Sequence, residues 1–144
     1  MTKKELLQEI SEELDKGASR IIINNLIEVY KLCRYAPSDY YNVVITLTCN
    51  YYAIDPKNIK SKTRERSYAY SRRIISHVLS DYIVFGERVY SDDFIASLIG
   101  RDRTTVVHNR KKAPDELKFN FLYKKAYDTI INNVNKYFKN ENII

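Results

Sequence analysis

The sequence predicts an all-α fold, a helical bundle that contains a helix-turn-helix and follows an N-terminal helical extension. Apolar residues recur at helical spacing along most of the 144 residues. Only three glycines and three prolines interrupt the chain, which favours long helices over a many-stranded sheet. Two helix patterns also flank a turn signal at Gly100, as in a helix-turn-helix.

An acidic extension of two helices is predicted over residues 1–36. The first helix begins with a capping box at Thr2 and ends at Gly17, and the second covers residues 19–35. Residues 1–30 hold four Lys and Arg against six Asp and Glu. Because one face is also apolar, this extension is a candidate surface for self-association or for a protein partner.

Residues 40–53 combine strand-like composition with helical periodicity. Their Val, Ile and Thr content favours a strand, but their apolar side chains fall on one helical stripe. We therefore predict a third helix, beginning at about Pro37. It opens the second predicted domain, residues 37–144, in which residues 55–66 form a polar, basic connector.

The connector leads into a helix that is predicted to carry Arg72 and Arg73 near its start and to break at Gly86. A last helix is predicted over residues 116–138, with its apolar side chains buried. Most tyrosines of the chain are expected to be half-buried, with the ring inside and the hydroxyl outside.

Residues 91–112 have the pattern of the helix-turn-helix itself. Ser91 is predicted to cap a short helix, and Gly100 supplies the turn. Asp102 caps a second helix, which Pro114 stops. In this motif the N-terminal residues of the second helix face base edges in the major groove. Arg suits guanine, Asp suits cytosine and Thr suits the methyl group of thymine.

The positive charge of the chain lies mostly in one stretch. The net charge is +6, and residues 57–112 hold thirteen Lys and Arg against six Asp and Glu. A localised basic field attracts polyanions such as nucleic acid. A membrane span is not expected, because no segment approaches the roughly 20 apolar residues that one requires.

Two segments resemble the C-terminal duplex-binding domain of DnaA, the bacterial replication initiator. Residues 99–108, IGRDRTTVVH, resemble the signature GRDHTTVLH of that family. Residues 51–55, YYAID, and 61–67, SKTRERS, resemble its helix end and basic loop, and Arg72 and Arg73 follow. The likeness covers about residues 40–135 and implies duplex DNA as the partner.

The resemblance and the pattern together give the predicted contacts. Arg64 matches the arginine that enters the minor groove, and Arg103 stands where the family has His. The predicted base contacts are Arg64, Asp102, Arg103, Thr104 and Thr105. The predicted phosphate contacts are Lys62, Arg66, Arg72, Arg73, Arg101, His108, Arg110, Lys111 and Lys112.

Three departures from the family pattern precede the predicted recognition helix. One glycine is missing before Arg101, and the span from Arg72 to Ser91 is about five residues longer than in the family. Asp92 and Asp93 replace its Leu-Pro pair, which brings negative charge near a phosphate contact.

The chain carries no pattern that predicts catalysis. It lacks a phosphate-cradling Gly-x-x-x-x-Gly-Lys-Ser/Thr loop, so we expect no ATPase activity and no cofactor. Its two histidines, His77 and His108, predict neither a metal site nor a catalytic pair. Cys33 and Cys49 lie in apolar surroundings and are predicted to be buried thiols.

We therefore predict a sequence-preferring double-stranded DNA-binding protein, an accessory factor of replication or transcription, rather than an enzyme. Its expected location is the cytoplasm of a bacterial or phage-infected cell, since no signal peptide pattern is present. The alternative hypothesis is a structural or assembly protein, for example a component of a phage particle. In that case the helical fold would serve protein–protein contacts.

Overall fold

The computed structural model describes residues 3–17, 19–35, 40–84 and 86–138. The fold is all-α, as predicted, and these residues form seven α-helices. The helices are α1 (Lys3–Asp15), α2 (Arg20–Tyr35), α3 (Tyr40–Tyr51), α4 (Arg66–Ser80), α5 (Asp92–Ile99), α6 (Arg103–Phe119) and α7 (Phe121–Phe138). A 3₁₀ turn, Pro56–Asn58, follows α3. A short hairpin of β1 (Ile83–Val84) and β2 (Glu87–Arg88) precedes α5.

The chain divides into two compact units. Unit 1 comprises Met1–Pro56 and Ile130–Ile144, and unit 2 comprises Lys57–Thr129. The predicted boundary between residues 36 and 37 concerns where the DNA-binding domain begins, and it stays a prediction. The predicted capping residue Thr2 and the predicted helix start at Pro37 lie outside the described residues.

Unit 1 confirms that residues 40–51 form a helix despite their strand-like composition. Burial is the reason, because every residue from Val43 to Cys49 is buried, including four of its large apolar side chains. The hydroxyls of Thr46 and Thr48 donate to the carbonyls four residues earlier, at 2.8 and 2.7 Å. These bonds satisfy the two polar side chains inside the core.

The predicted buried thiol at Cys49 is confirmed. Its side chain is fully buried in α3, and burial, with a smaller contribution from Asp55, raises the pKa of the thiol to about 12. The side chain of Cys33 lies outside the described residues. In the same unit, the amide of Asn25 donates to the carbonyl of Ile54 at 3.3 Å and so ties α2 to the segment after α3.

Unit 2 is built on α4, whose large aliphatic side chains are buried together with apolar side chains of α5, α6 and α7. The helix starts six residues before Arg72, so Arg72 and Arg73 lie in its middle and the prediction that they lie near its start is wrong. The central side chains of this core are Ile74, Ile75, Leu79, Ile95, Ile99, Val106 and Tyr123.

The predicted break of this helix at Gly86 is also wrong. The helix ends at Ser80, and a hairpin follows in which Ile83 pairs with Arg88 and Val84 with Glu87. Gly86 takes the left-handed conformation that the hairpin turn requires, with φ of +79°. The β-branched residues before it favour this strand pairing over another helical turn.

Pro114 does not stop α6, contrary to the prediction. The helix runs through it to Phe119, although proline has no N–H to donate to the carbonyl of Arg110. Asn120 ends the helix instead. Its side-chain oxygen accepts from the backbone N–H of Tyr123 at 3.1 Å and thereby caps α7.

Candidate nucleic-acid interface

A helix-turn-helix is formed by α5, Gly100 and α6. The hydroxyl of Ser91 accepts from the backbone N–H of Phe94 at 3.1 Å, which confirms the predicted cap of α5. Gly100 has a φ of +65°, and a Cβ there would lie 2.7 Å from the Cβ of Lys60. Only a residue without a side chain therefore fits this turn.

The predicted cap of α6 by Asp102 is confirmed as well. One carboxylate oxygen accepts from the backbone N–H of Thr105 at 2.8 Å and from its hydroxyl at 2.9 Å. These two bonds lower the pKa of Asp102, because they stabilise the ionised form. Asp102 and Thr105, both predicted to contact bases, are therefore hydrogen-bonded to each other at the start of the recognition helix.

One side of α6 faces solvent while the other faces the core. Val106, Asn109 and Ala113 are buried. The exposed side carries Arg103, Thr104, His108, Lys111 and Lys112. This side therefore presents two predicted base contacts at its start and three predicted phosphate contacts farther along.

A basic loop, residues 57–65, precedes α4. Its predicted contacts Lys62 and Arg64 are exposed, and so is Arg66 in the first turn of the helix. The loop is held by Arg72. Its Nε, Nη1 and Nη2 donate to the carbonyls of Ile59, Thr63 and Ser61 at 2.8, 3.0 and 2.7 Å.

The buried position of Arg72 does not fit the predicted phosphate contact. The residue is only 5% exposed, and its nitrogens already serve the loop. Burial lowers the pKa of its guanidinium, and the charge of Arg101 adds to this effect. Arg72 therefore organises the loop in this structure.

Arg101 completes the attachment of the loop to the helix-turn-helix. Its Nη2 donates to the carbonyl of Ser61 at 2.9 Å, and its Nη1 donates to that of Gly100 at the same distance. Ser61 thus accepts from Arg72 and from Arg101. The basic loop and the start of the recognition helix are joined at one carbonyl.

Two further predicted phosphate contacts are paired with carboxylates. Arg73 donates to Glu116 at 2.7 Å and reaches the side-chain oxygen of Asn109 at 3.5 Å. Arg110 donates to Asp92 at 3.0 Å. Asp92 is a buried, ion-paired residue rather than an open negative charge at the start of α5.

The two histidines are placed differently. His108 is exposed on α6. His77 is buried in α4, where its ring stacks on Tyr127 and its Nδ1 lies 3.4 Å from the hydroxyl of Tyr123. Burial lowers the pKa of His77 despite the opposing effect of Asp81, whose carboxylate lies 3.1 Å from Nε2.

Arg88 is a charged residue of this region that was not predicted from the sequence. It lies in β2, within the longer span before α5, and donates to Asp92 at 2.8 Å. The only signal in the sequence was an isolated arginine between the predicted helix break at Gly86 and the predicted cap at Ser91. Without the hairpin, nothing placed that arginine beside Asp92.

Membrane and metal binding find no structural support in the described ranges. None of the helices there is long and apolar enough to cross a membrane. Among the same residues, no three His, Cys, Asp or Glu side chains gather into a group that would hold a metal ion.

Comparison with known families agrees with this geometry. Residues 41–113 match the model of the bacterial dnaA protein helix-turn-helix. The matched stretch runs from α3 to the middle of α6 and so includes the basic loop, α5, the turn at Gly100 and the first part of α6. Neither a comparison with curated proteins nor one with solved structures yields a match. The chain therefore belongs to the bacterial DnaA helix-turn-helix family, whose module binds DNA.

Proposed function

We propose that the protein binds double-stranded DNA with a sequence preference and serves as an accessory factor in replication or transcription. One observation carries this proposal: the exposed, cationic side of α6 starts beside a basic loop, which Arg101 bonds to the turn before α6 and Arg72 bonds to α4. The loop, proposed to contact the minor groove, and α6, proposed to contact the major groove, thus lie next to each other.

The exposed residues divide into two roles. On α6, Arg103 and Thr104 lie in the first turn, where a recognition helix meets base edges. In the loop, Arg64 is free to enter a minor groove, which reports A·T against G·C and groove width. Lys62, Arg66, His108, Lys111 and Lys112 are assigned to phosphates.

The alternative, an assembly protein, rests on no observation of the described residues. It is instead one outcome of the experiments below. Self-association through residues 1–36 also stays a prediction, as does the cytoplasmic location. Leu7 and Leu14 are exposed on α1, which is compatible with a partner surface there.

The first experiment is a binding selection from random duplex DNA, followed by titrations of the selected duplex at several salt concentrations. Four exposed lysines and arginines are assigned to phosphates: Lys62, Arg66, Lys111 and Lys112. The logarithm of affinity should therefore fall against the logarithm of salt with a slope of about −4. Failure to retain any duplex at low salt, with an oligomer in gel filtration, would favour the assembly hypothesis.

Base reading is separated from charge attraction by Arg103→Ala. This variant should lose about 1–3 kcal/mol on the selected duplex and little on random duplex. Lys124→Ala, which removes an exposed charge from α7, is the matched control and should bind both duplexes as the parent does. Equal losses on both duplexes for Arg103→Ala would show that the residue reads no base.

A further inference from the structure

Two arginines from different elements converge on one carboxylate at the start of α5. Arg88 of the hairpin donates from Nη2 to Oδ1 of Asp92 at 2.8 Å. Arg110 of α6 donates from Nη2 to Oδ2 at 3.0 Å. Each oxygen of Asp92 thus holds one guanidinium, and the carboxylate side chain itself is only 8% exposed.

The two arginines keep part of their surface open. Their side chains are 34% and 36% exposed, unlike the carboxylate between them. Two positive charges against one negative charge leave the cluster with one net positive charge. The cluster therefore retains cationic capacity beyond its internal ion pairs.

The cluster lies beside the reading end of the recognition helix. Arg103 and Arg110 are seven residues apart on α6, which places them almost two turns apart on one stripe. Burial opposes ionisation of Asp92, but its hydrogen bond with Arg88 and the charges of Arg88, Arg110 and Arg103 lower its pKa overall. The charge of Arg103, the smallest of these influences, thus reaches the carboxylate of the cluster.

We infer that Arg88 and Arg110 form a phosphate-binding site for the DNA backbone, with Asp92 as the residue that positions both guanidiniums. Guanidinium groups bind phosphate oxygens through paired N–H donors, and fixing their planes in advance limits the loss of side-chain entropy on binding. The inference rests on the proposed function. It adds Arg88, a residue of the longer span before α5, to the DNA-contacting surface.

The test compares variants of the full chain on one duplex. Arg88→Gln should weaken binding on the order of tenfold at low salt, on selected and random duplex alike. It should also reduce the salt slope by about one unit. Lys124→Gln removes the same charge elsewhere in unit 2 and should leave both quantities unchanged.

Asp92→Asn distinguishes positioning from simple charge. The variant raises the net charge by one, so charge alone predicts tighter DNA binding. Positioning predicts weaker binding, because neither guanidinium keeps its ionised partner. Glu87→Gln is the matched control, since this exposed carboxylate of β2 makes the same charge change outside the cluster and should tighten binding slightly.

Ethylation of single phosphates provides a readout that does not depend on the stability of the Asp92 variant. Blocking one backbone phosphate should reduce binding by the parent but not by Arg88→Gln. The inference fails if the two proteins give the same interference pattern, or if Asp92→Asn binds as tightly as Glu87→Gln. In either case, retained sequence preference and its loss in Arg103→Ala would leave the proposed function intact.

Discussion

The guanidinium of Arg72 illustrates how a charged residue can serve an interface from inside. All three of its nitrogens donate to carbonyls of the basic loop, and the ring of Tyr68 lies 5.6 Å from its central carbon. A lysine has one ammonium group and cannot reproduce this fork. The shape of the loop that carries Arg64 therefore depends on an arginine at this position.

We expect Arg72→Lys to lower the free energy of unfolding by roughly 1–3 kcal/mol, because at least one loop carbonyl loses its donor. It should also reduce the effect that Arg64→Ala has on DNA affinity. Denaturant titration and a double-mutant cycle of the two residues measure these changes. Arg66→Lys, at an exposed arginine of α4, is the control for stability. If Arg72→Lys is as stable as the parent and its effect on affinity adds to that of Arg64→Ala, Arg72 contacts a phosphate directly instead.

Sequence reasoning succeeds at residues whose role is local. Ser91, Gly100 and Asp102 act within three or four residues of chain, and their predicted turns and caps are all found. In the sequence, Arg72 and Arg73 look no different from arginines that are exposed. Their partners lie 9 to 13 residues away for Arg72 and 43 residues away for the ion pair of Arg73, so no local pattern distinguishes them.

At the scale of elements, helix interiors were predicted better than helix ends. Burial decides α3, where periodicity correctly outweighed strand propensity. The ends of α4 and α6 depend instead on contacts with residues outside each helix, which the local sequence pattern does not contain. The span after Ser80 forms a hairpin whose Arg88 bonds to Asp92, and α6 continues until Asn120 caps the next helix.

The exposed proline within α6 predicts a simple gain in stability. The substitution Pro114→Ala restores a backbone N–H that can donate to the carbonyl of Arg110. It also removes the steric conflict between the proline ring and the preceding turn. The free energy of unfolding should rise by about 1–3 kcal/mol, as followed by helical circular dichroism during thermal unfolding. Asp115→Ala, at the next exposed position of the same helix, should change stability by less. A lower melting temperature for Pro114→Ala would mean that the fold needs the proline.

At the scale of the whole molecule, the chain divides into two compact units, and local opening of unit 1 can be measured separately. Cys49 provides a probe, because it is fully buried in α3 and its pKa is about 12. At pH 8 the thiolate population is roughly a thousandfold smaller than for a thiol of pKa 9. Alkylation of the folded protein should therefore require opening of α3.

We expect Cys49 in a Cys33→Ser protein to be alkylated at least about a hundredfold more slowly than in urea. A cysteine introduced by Leu14→Cys, in a chain that lacks both native cysteines, provides the exposed control in unit 1. Equal rates for the two thiols in native buffer would show that α3 does not protect Cys49.

The close approach of Gly100 to Lys60 has a consequence for the length of a DNA target. A single hydrogen at residue 100 faces the basic loop, so the turn between α5 and α6 lies closely against the loop. With Arg64 in the minor groove and Arg103 in the major groove, as proposed, we expect the distance between the two contacts to be constant. One additional base pair between them advances the duplex by about 3.4 Å and rotates it by roughly 36°. We therefore expect a DNA target with fixed internal spacing, as a consequence of the missing side chain at residue 100.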